Sequence, residues 1–300
     1  MLEQIRTTGD RVTDLPLSQI GGDGVFVTEI ERALQEGRVD IAVHSLKDLP
    51  TIQPQGLTVL VAGEREDVRD VWVSYGDDQR MQEYVQAHAP VDRSGPPLRV
   101  GTGSLRRTAQ VRHLSPNVEI LPLRGNVDTR LRKLEAGEYD GIVLAAAGLH
   151  RLGLQERLAG RLTYLPLDVM LPAPGQGALA LECRDEPALR ELLAPLQNTT
   201  LQAATLVERT FMRHLGAGCY LPVAAYAEYT EGMLAARGLV ISLDGARRIF
   251  VQQRQPWTSS SSFAEAEQLG IDLAEQALAQ GADAIIRELT PIREQEQSHV

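Results

Sequence analysis

FVTEIERALQEGRVDIAV (Phe26–Val43) and NVDTRLRKLEAGEYDGIV (Asn126–Val143) align with each other without gaps. The two stretches share a Leu-x-x-Gly-x-x-Asp skeleton. This skeleton falls at Leu34, Gly37 and Asp40 in the first copy and at Leu134, Gly137 and Asp140 in the second. A weak internal repeat of this kind indicates that two parts of the chain fold alike.

Each copy predicts the same local structure, which is a helix, a glycine turn and a strand. Apolar residues recur at helical spacing in both copies, so each helix has one apolar face. Glycine then ends the helix, and the short apolar runs IAV and GIVLA predict a strand. Helix–turn–strand units build parallel sheets in α/β domains. The repeat therefore predicts two related α/β domains with a cleft between them.

The chain beyond about residue 195 has a different pattern. A helix is predicted over Leu201–Leu215, and GLVISLDGARRIFVQQ predicts two strands joined around Asp244 and Gly245, a hairpin signal. A run of serines then precedes a helix over Phe263–Gln280. This part is interpreted as a small C-terminal α+β domain. We expect domain 1 to comprise residues 1–70 and 172–195, domain 2 residues 71–171, and domain 3 residues 196–300.

The composition argues against several classes of protein. A formal net charge of −10 does not suit general nucleic-acid binding, which depends on a basic field. The longest uncharged apolar run, Gly141–Leu149, is too short to span a bilayer. The N-terminal stretch MLEQIRTTGD lacks the basic and apolar regions of an export signal, and the chain has only 2 cysteines. We therefore expect a soluble, cytoplasmic protein with free thiols.

The positive charge is concentrated in one part of this acidic chain. Eight lysines and arginines lie between Arg99 and Lys133, against two acids, Glu119 and Asp128. A local basic patch on an acidic protein suits a small anionic ligand better than a polyanion. The alternative is a solvated helix face, which is the usual explanation of a charge run.

The stretch RVGTGSLRRTAQ (Arg99–Gln110) predicts a strand, a glycine turn and a helix that starts near Ser104. Backbone N–H groups at the start of such a helix can bind an anion. Arg106 and Arg107 lie in the first turn, where exposed cations oppose the helix dipole by about 0.3–1 kcal/mol each. A bound carboxylate or phosphate would reverse that unfavourable contribution. The two arginines therefore favour an anion site.

LPLRGNVDTRL (Leu121–Leu131) has the same form, with Arg124 and Gly125 after a strand and Arg130 on the following helix. Arg151 follows the strand of the second copy. Guanidinium groups bind carboxylates in a bidentate manner, so several arginines at strand ends indicate a ligand with several carboxylates. Each arginine taken singly is better explained as a surface charge.

DIAVHSLKDLPT (Asp40–Thr51) contains the strand of the first copy and the residues after it, where α/β domains present their ligands. Lys47 and Asp48 stand there, whereas the second copy has Ala147 and Gly148. This asymmetry indicates a function for the charged pair. A structural salt bridge is the alternative.

The two cysteines differ in their sequence context. Cys219 lies in HLGAGCYLPV (His214–Val223), where glycine and proline predict a loop, whereas Cys183 ends a predicted strand and is interpreted as a core residue. No CxxC motif or Cys/His cluster occurs, so no metal site is predicted. A nucleophilic pair of Cys219 and His214 is conceivable. His44 is interpreted as a hydrogen-bonded histidine at a strand end.

Taken together, seven stretches closely resemble the porphobilinogen deaminase (hydroxymethylbilane synthase) family, in the family's order. They are VHSLKDLPT, REDVRDVWVS, VGTGSLRRTAQ, LRGNVDTRL, AGLHRLGL, LPAPGQGALALECR and the Cys219 loop. Their combination is highly specific, although any one of them alone is not. The resemblance implies an α/β fold with two domains like those of type II periplasmic binding proteins around a cleft, and a small C-terminal α+β domain.

The resemblance also implies an activity. Family members join four porphobilinogen molecules head to tail, release ammonia each time, and then release hydroxymethylbilane by hydrolysis for tetrapyrrole biosynthesis. They hold a dipyrromethane cofactor, itself made from substrate, through a thioether to the loop cysteine, which matches Cys219. We expect this chain to do the same, as a monomer that binds porphobilinogen and neither nucleic acid nor membrane.

By match of motif, Asp48 is the catalytic carboxylate that stabilises the azafulvene cation left when ammonia departs. A charge about 4 Å from that cation contributes about 4 kcal/mol at an effective dielectric of about 20, or roughly a thousandfold in rate. The acetate and propionate groups of the pyrroles call for cations. The residues matched to cofactor binding are Lys47, Ser104, Arg106, Arg107, Arg124 and Gly125, and those matched to substrate binding are Arg130 and Arg151.

Two features depart from the family pattern. Family members usually begin with a further strand and helix that carry a Thr-Arg-x-Ser motif, and this sequence starts after that segment. Either the start site was assigned too late, or this is a shortened form whose domain 1 lacks a core strand and two ligands. Asp23, in IGGDGVFV (Ile20–Val27), stands where the family usually has lysine, which reverses a charge near the cleft.

Two other functions stay open on the sequence alone. A two-domain protein could bind a polycarboxylate in the same cleft without chemistry, and it would not need Cys219. A shortened, inactive paralogue would fold but would not turn over substrate.

Overall fold

The computed structural model describes residues 2–5, 7, 27–76, 80–87, 96–115, 117–216, 221–258 and 260–297. Its strands are β1 (Ile41–Ser45), β2 (Leu57–Ala62), β3 (Asp70–Ser74), β4 (Leu98–Gly101), β5 (Val118–Leu121), β6 (Gly141–Ala145), β7 (Leu162–Tyr164), β8 (Leu179–Arg184), β9 (Val223–Thr230), β10 (Met233–Ile241) and β11 (Arg248–Pro256). Its helices are α1 (Thr28–Gln35), α2 (Arg80–Ala87), α3 (Leu105–Leu114), α4 (Val127–Glu135), α5 (Ala146–Arg151), α6 (Pro187–Leu193), α7 (Thr199–His214), α8 (Phe263–Ala279) and α9 (Ala282–Gln297). Within these ranges, no helix combines the length and the apolar character that crossing a membrane requires.

Both copies of the repeat fold as the sequence predicts. Helix α1 leads into β1, and α4 leads into β6. The N–H of Gly37 donates to the carbonyl of Leu34 at 3.0 Å, and that of Gly137 donates to Leu134 at 2.9 Å. Both glycines have a positive φ, 68° and 75°, which glycine adopts without the clash of a Cβ. The Leu-x-x-Gly-x-x-Asp pattern thus ends the helix with the same glycine geometry in both copies.

The described strands form three sheets. In the first sheet, β8 lies between β1 and β2 and is antiparallel to both. The second sheet has the order β5-β4-β6-β3-β7, in which β4 is parallel to β5 and β6, and β3 is antiparallel to β6 and β7. The third is an antiparallel meander of β9, β10 and β11.

Among the strands that the structure describes, the parallel pairing that the repeat predicts for both copies is found for β6 and not for β1. Strand β6 pairs in parallel with β4, as predicted. Strand β1 pairs instead with the antiparallel strand β8, so the prediction is wrong for this pair. The chain supplies β8 only after it has completed the second sheet. The first sheet is therefore closed by a segment distant in sequence, which a local pattern does not reveal.

The C-terminal part is an α+β unit, as predicted. Helix α7 covers the predicted Leu201–Leu215 within two residues, and α8 ends before Gly281, whose φ is 95°. Phe211 of α7 and Trp257 are buried in one core with the meander. A Cβ on Gly238 of β10 would lie 2.5 Å from the Phe211 ring, so glycine there allows the helix to approach the sheet.

This C-terminal unit contacts both of the other sheets. At the second sheet, the carbonyl of Gly245 in the β10–β11 turn lies 2.9 Å from Nδ1 of His113, at the end of α3. At the first sheet, Glu208 of α7 pairs with Arg65 of the β2–β3 loop. The C-terminal unit therefore contacts elements of both α/β sheets.

Candidate active site

Lys47 and Asp48 lie on a single turn of 3₁₀ helix, Leu46–Asp48, that follows β1 directly. Leu46 is buried and anchors the turn, whereas Asp48 is exposed and Lys47 is half-buried. Burial lowers the pKa of Lys47, and the neighbouring Asp48 carboxylate opposes this shift. The turn therefore presents a carboxylate to solvent beside a cation that has already lost part of its hydration.

Arg106 and Arg107 start helix α3, whose N-cap is Ser104. The Oγ of Ser104 accepts a hydrogen bond from the backbone N–H of Arg107 at 3.4 Å. Both guanidinium groups are buried against the carboxylate of Asp70, the first residue of β3. Arg106 Nη1 lies 2.7 Å from Asp70 Oδ2, and Arg107 Nη2 lies 2.7 Å from Oδ1. The two arginines also donate to the carbonyls of Leu171 and Val143.

Asp70 changes the sequence argument about these arginines. The carboxylate that relieves their unfavourable position at a helix start comes from the chain itself, so it need not come from a ligand. The two guanidinium groups hold the pKa of Asp70 well below its usual range although the group is fully buried. One carboxylate neutralises only one of two arginines, which leaves a net positive charge at the start of α3. A role for Arg106 and Arg107 toward a ligand stays a prediction.

Arg124, Gly125 and Arg130 lie between β5 and the first turns of α4. Gly125 has a φ of 108°, and its carbonyl accepts a hydrogen bond from Arg130 Nε at 2.7 Å. Burial and the like charge of Arg107 lower the pKa of Arg130 to about 10, while Asp48 opposes the shift. Burial also lowers the pKa of Arg124. Each cation thus loses hydration in the folded protein, which an anionic ligand would offset.

The structure brings most of the predicted residues together. On the turn after β1, Lys47 lies within electrostatic range of Arg107 of α3, and Asp48 lies within electrostatic range of Arg130 of α4. The group with such mutual electrostatic interactions comprises Lys47, Asp48, Asp70, Arg106, Arg107, Arg124 and Arg130. We call this group the cation cluster. Five cations face two carboxylates in it, so it suits a ligand with several negative charges.

Arg151 is placed beside this cluster. It lies at the end of α5, and its Nη2 donates to the carbonyl of Gly177 at 2.7 Å. Gly177 belongs to the loop between residues 173 and 178, which packs against the Lys47 turn at Gly175. Arg151 therefore contacts a loop that borders the turn of Lys47 and Asp48.

The structure describes one of the two cysteines and both histidines that the sequence analysis singled out. Cys219 and Asp23 lie outside the described residues. Cys183 is fully buried in β8, which confirms its interpretation as a core residue, and burial raises its thiol pKa. His214 is paired with Glu275 of α8. His44 is buried in β1, and its Nε2 lies 3.0 Å from Oε2 of Glu182. Nowhere in the described ranges do three His, Cys, Asp or Glu side chains form a metal site.

The sequence reasoning missed Asp70 and Arg209. Asp70 had a detectable signal, because an acid opens the apolar strand DVWVS in which every residue is buried. Such an acid needs a cationic partner. Arg209 of α7 donates to backbone carbonyls of residues 46–50. A backbone carbonyl carries no sequence signal, so nothing in the sequence pointed to that contact.

Comparison with protein families gives two matches that together cover most of the chain. Residues 1–191 match the model described as porphobilinogen deaminase, dipyromethane cofactor binding domain. Residues 202–279 match the porphobilinogen deaminase C-terminal domain. The cofactor of this family is therefore the one that the sequence resemblance implies.

Curated relatives extend the match over nearly the whole chain. The porphobilinogen deaminase of Syntrophotalea carbinolica is 46% identical over 290 residues, which are 96% of this chain and 86% of the relative. That of Syntrophobacter fumaroxidans is 44% identical and spans 96% of this chain and 87% of the relative. These matches favour the enzyme over the alternative of a non-catalytic binding protein.

Solved structures show a partial likeness. The VFT2 domain of BvgS from Bordetella pertussis has a TM-score of 0.34 at 17% identity, over 57% of this chain and 65% of that chain. The amino acid ABC transporter substrate-binding protein AbpA from Streptococcus pneumoniae has a TM-score of 0.32 at 15% identity, over 60% and 66%. The family is given by the sequence matches instead. With the cation cluster and its exposed carboxylate in place, those matches show that this chain is a transferase of the porphobilinogen deaminase family.

Proposed function

We propose that Asp48 is the catalytic carboxylate of this enzyme, and that the cation cluster binds the carboxylates of its dipyrromethane cofactor and of porphobilinogen. One observation carries the proposal. The exposed Asp48, on the turn after β1, interacts with the partly dehydrated cations Lys47 and Arg130, and Arg130 in turn lies near Arg107 and Arg124. An arrangement of this kind combines binding of a polyanion with stabilisation of a positive charge at one point.

The residues present fit a dipyrromethane. Its two pyrroles carry acetate and propionate groups, and the cluster holds more guanidinium groups than its own carboxylates neutralise. We assign cofactor binding to Lys47, Ser104, Arg106, Arg107, Arg124 and Gly125, with the covalent link at Cys219. Gly125 would act through its carbonyl, which orients Arg130. When bound, the dipyrromethane supplies the pyrrole to which the first porphobilinogen is joined.

Loss of ammonia breaks the C–N bond of the substrate and leaves a cation, and the Asp48 carboxylate stabilises that charge at close range. The attacking pyrrole carbon then forms the new C–C bond and gives up its proton. We assign Arg130 and Arg151 to the substrate carboxylates. Arg130 interacts with Asp48, and Arg151 contacts the loop that borders the Asp48 turn. Charged groups at fixed positions bring the attacking pyrrole and the cation together, which lowers the entropic barrier to their reaction.

We also propose a domain organisation and a setting. Residues 1–70 and 172–195, 71–171 and 196–300 would be the three domains, in line with the three sheets. The enzyme would act as a cytoplasmic monomer that does not bind nucleic acid. Its net charge of −10 and its low cysteine content support this setting.

The mass of the intact purified protein tests the cofactor assignment. Protein expressed with ample porphobilinogen is expected to carry the added mass of two linked pyrroles. In Cys219→Ser that mass should be lost together with activity, because the thioether cannot form. Cys183→Ala is the matched control, since Cys183 is buried in β8, and it should keep the added mass. An unmodified wild-type protein, or a Cys219→Ser variant that keeps the mass, would overturn the assignment.

A further inference from the structure

Arg209, in the middle of α7, reaches across from the C-terminal unit to the turn that carries Asp48. Its Nη1 donates to the carbonyl of Leu46 at 3.3 Å and to that of Leu49 at 3.0 Å. Its Nη2 donates to the carbonyl of Pro50. One planar guanidinium thus holds the backbone on both sides of Asp48, which is a geometry that arginine can provide and lysine cannot.

The neighbouring residue, Glu208, contacts a loop that packs against the same turn. It is fully buried, and its two carboxylate oxygens pair with Arg65 at 2.7 and 3.0 Å. Its Oε2 also accepts a hydrogen bond from the N–H of Gly175 at 2.6 Å. A Cβ built on Gly175 would lie 3.2 Å from the backbone N of Lys47, so this loop lies directly against the turn.

Helix α7 also lies directly before the Cys219 loop in the sequence. The helix ends at His214, and Cys219 follows shortly after it in the sequence. The same helix therefore leads to the cysteine assigned to the cofactor and, through Glu208 and Arg209, holds the turn assigned to catalysis.

We propose that Arg209 is a positioning residue for the reaction. It sets the place of the Asp48 carboxylate relative to a cofactor anchored at Cys219. This inference rests on the proposed role of Asp48. Without the three hydrogen bonds, the carbonyls of Leu46, Leu49 and Pro50 would turn toward water, and the short turn would shift. A shift of about 1 Å in a reacting group can lower the rate about a hundredfold.

The test compares two arginines on the same helix. Arg209→Met removes the contacts to the turn, whereas Arg213→Met, one helical turn further on, removes only an ion pair with Glu267 inside the C-terminal unit. We expect Arg209→Met to lower kcat about tenfold to a hundredfold, with an unchanged KM for porphobilinogen and the cofactor mass retained. Arg213→Met should keep the wild-type kcat. Equal kcat values for Arg209→Met and the wild type would overturn the proposal.

Arg209→Lys keeps the positive charge and serves as the test variant if Arg209→Met does not fold. A lysine ammonium cannot span the three carbonyls, so kcat per cofactor-loaded molecule should still fall, by less than in Arg209→Met. If kcat per loaded, folded molecule is normal in Arg209→Lys, Arg209 has only a structural role and the proposal fails.

A double-mutant cycle with Asp48→Glu separates this proposal from the one on Asp48. If Arg209 acts through Asp48, then Arg209→Met should lower kcat much less in the Asp48→Glu background than in the wild type. Equal losses in both backgrounds would overturn the positioning role while leaving Asp48 catalytic. A wild-type kcat in Asp48→Glu and in Asp48→Asn would instead remove the role of Asp48 itself.

Discussion

The two copies of the repeat have the same local backbone but continue into different structures. After β1 the chain makes the short turn Leu46–Asp48, and after β6 it continues into helix α5. The turn exposes a carboxylate and is held from another part of the chain by Arg209. Helix α5 carries Ala147 and Gly148 at the places of Lys47 and Asp48, and Ala147 is buried. The comparison shows that the shared helix–turn–strand unit is a common scaffold, and that the residues after its strand determine which side chains each copy exposes.

Each copy also has a buried carboxylate on the antiparallel strand beside it, but the two carboxylates have different charged partners. Asp70 lies opposite Ala145 of β6 and is paired with two arginines. Glu182 lies opposite Ala42 of β1, with His44 at 3.0 Å. Burial and the nearby Glu182 raise the pKa of a second acid, Glu31. Beside the second copy, two arginines thus share one buried carboxylate, whereas in the first copy two buried acids share one histidine.

The largest expected effect comes from the residue that most distinguishes the copies. Asp48→Asn should lower turnover about a thousandfold, because a neutral amide does not stabilise the substrate cation. The cofactor mass should be retained, since Asp48 does not form the thioether. Rates of ammonia release and intact mass measure both. The exposed acid Asp128 of α4 in the second copy is the control, and Asp128→Asn should be active. Normal turnover in Asp48→Asn would make the two copies equivalent in function.

The second effect concerns the buried carboxylate beside the second copy. Asp70→Asn leaves Arg106 and Arg107 without a charged partner, so the free energy of unfolding should fall by about 3 kcal/mol. The pKa of Asp70 is lower in the folded protein than its ordinary value of 3.8. Its stabilising contribution is therefore present above that value and is lost as the pH falls through the folded-state pKa.

Urea unfolding of Asp70→Asn and the wild type should thus converge in acid. Asp67→Asn is the control, because Asp67 pairs with the more exposed Arg69 and should change stability by less than about 1 kcal/mol. A constant difference between Asp70→Asn and the wild type across the acid range would contradict the assignment to charge.

A third effect tests whether the two copies are equal in their shared part. Gly37→Ala and Gly137→Ala each force an alanine into a positive φ, so each should lower the free energy of unfolding by about 1 kcal/mol. Gly148→Ala is the matched control, since Gly148 lies within helix α5 and an added Cβ would make an ordinary 4.0 Å contact with Val127 of α4. It should leave stability unchanged or raise it. Clearly unequal losses at Gly37 and Gly137 would mean that the copies are not equivalent supports.

The smallest expected effect lies in the interior of the first copy. Burial and the charge of Glu182 raise the pKa of Glu31, while His44 opposes the shift. A carboxyl with a raised folded-state pKa contributes stability below its unfolded value of 4.5, and that contribution is lost as the pH rises through the folded-state pKa. Glu31→Gln should therefore stabilise the protein at pH 7 and not at pH 4. Glu36→Gln, at a half-exposed glutamate, is the control and should not stabilise the protein in this way. Destabilisation by Glu31→Gln at pH 7 would contradict the interpretation.

Local structure could be predicted well because its signals are local. The glycines at 37 and 137, the caps Ser104 and Asn126, and the turn at Asp244 and Gly245 all act within a few residues. Pairings between distant parts of the chain could not be predicted in the same way. Asp70 and its two arginines lie 36 and 37 residues apart, and the pairing needs a sheet to bring them together.

By itself the sequence determined the helix–glycine–strand units, the hairpin unit at the C-terminus and, through its motifs, the family. These features depend on backbone geometry and on residue types that act over one or two turns. Only the tertiary structure decided that Arg106 and Arg107 share Asp70, that β1 pairs with β8, and that Arg209 holds the turn of Asp48. Those contacts involve buried charges and backbone carbonyls, whose partners depend on how the three sheets pack and not on any pattern along the chain.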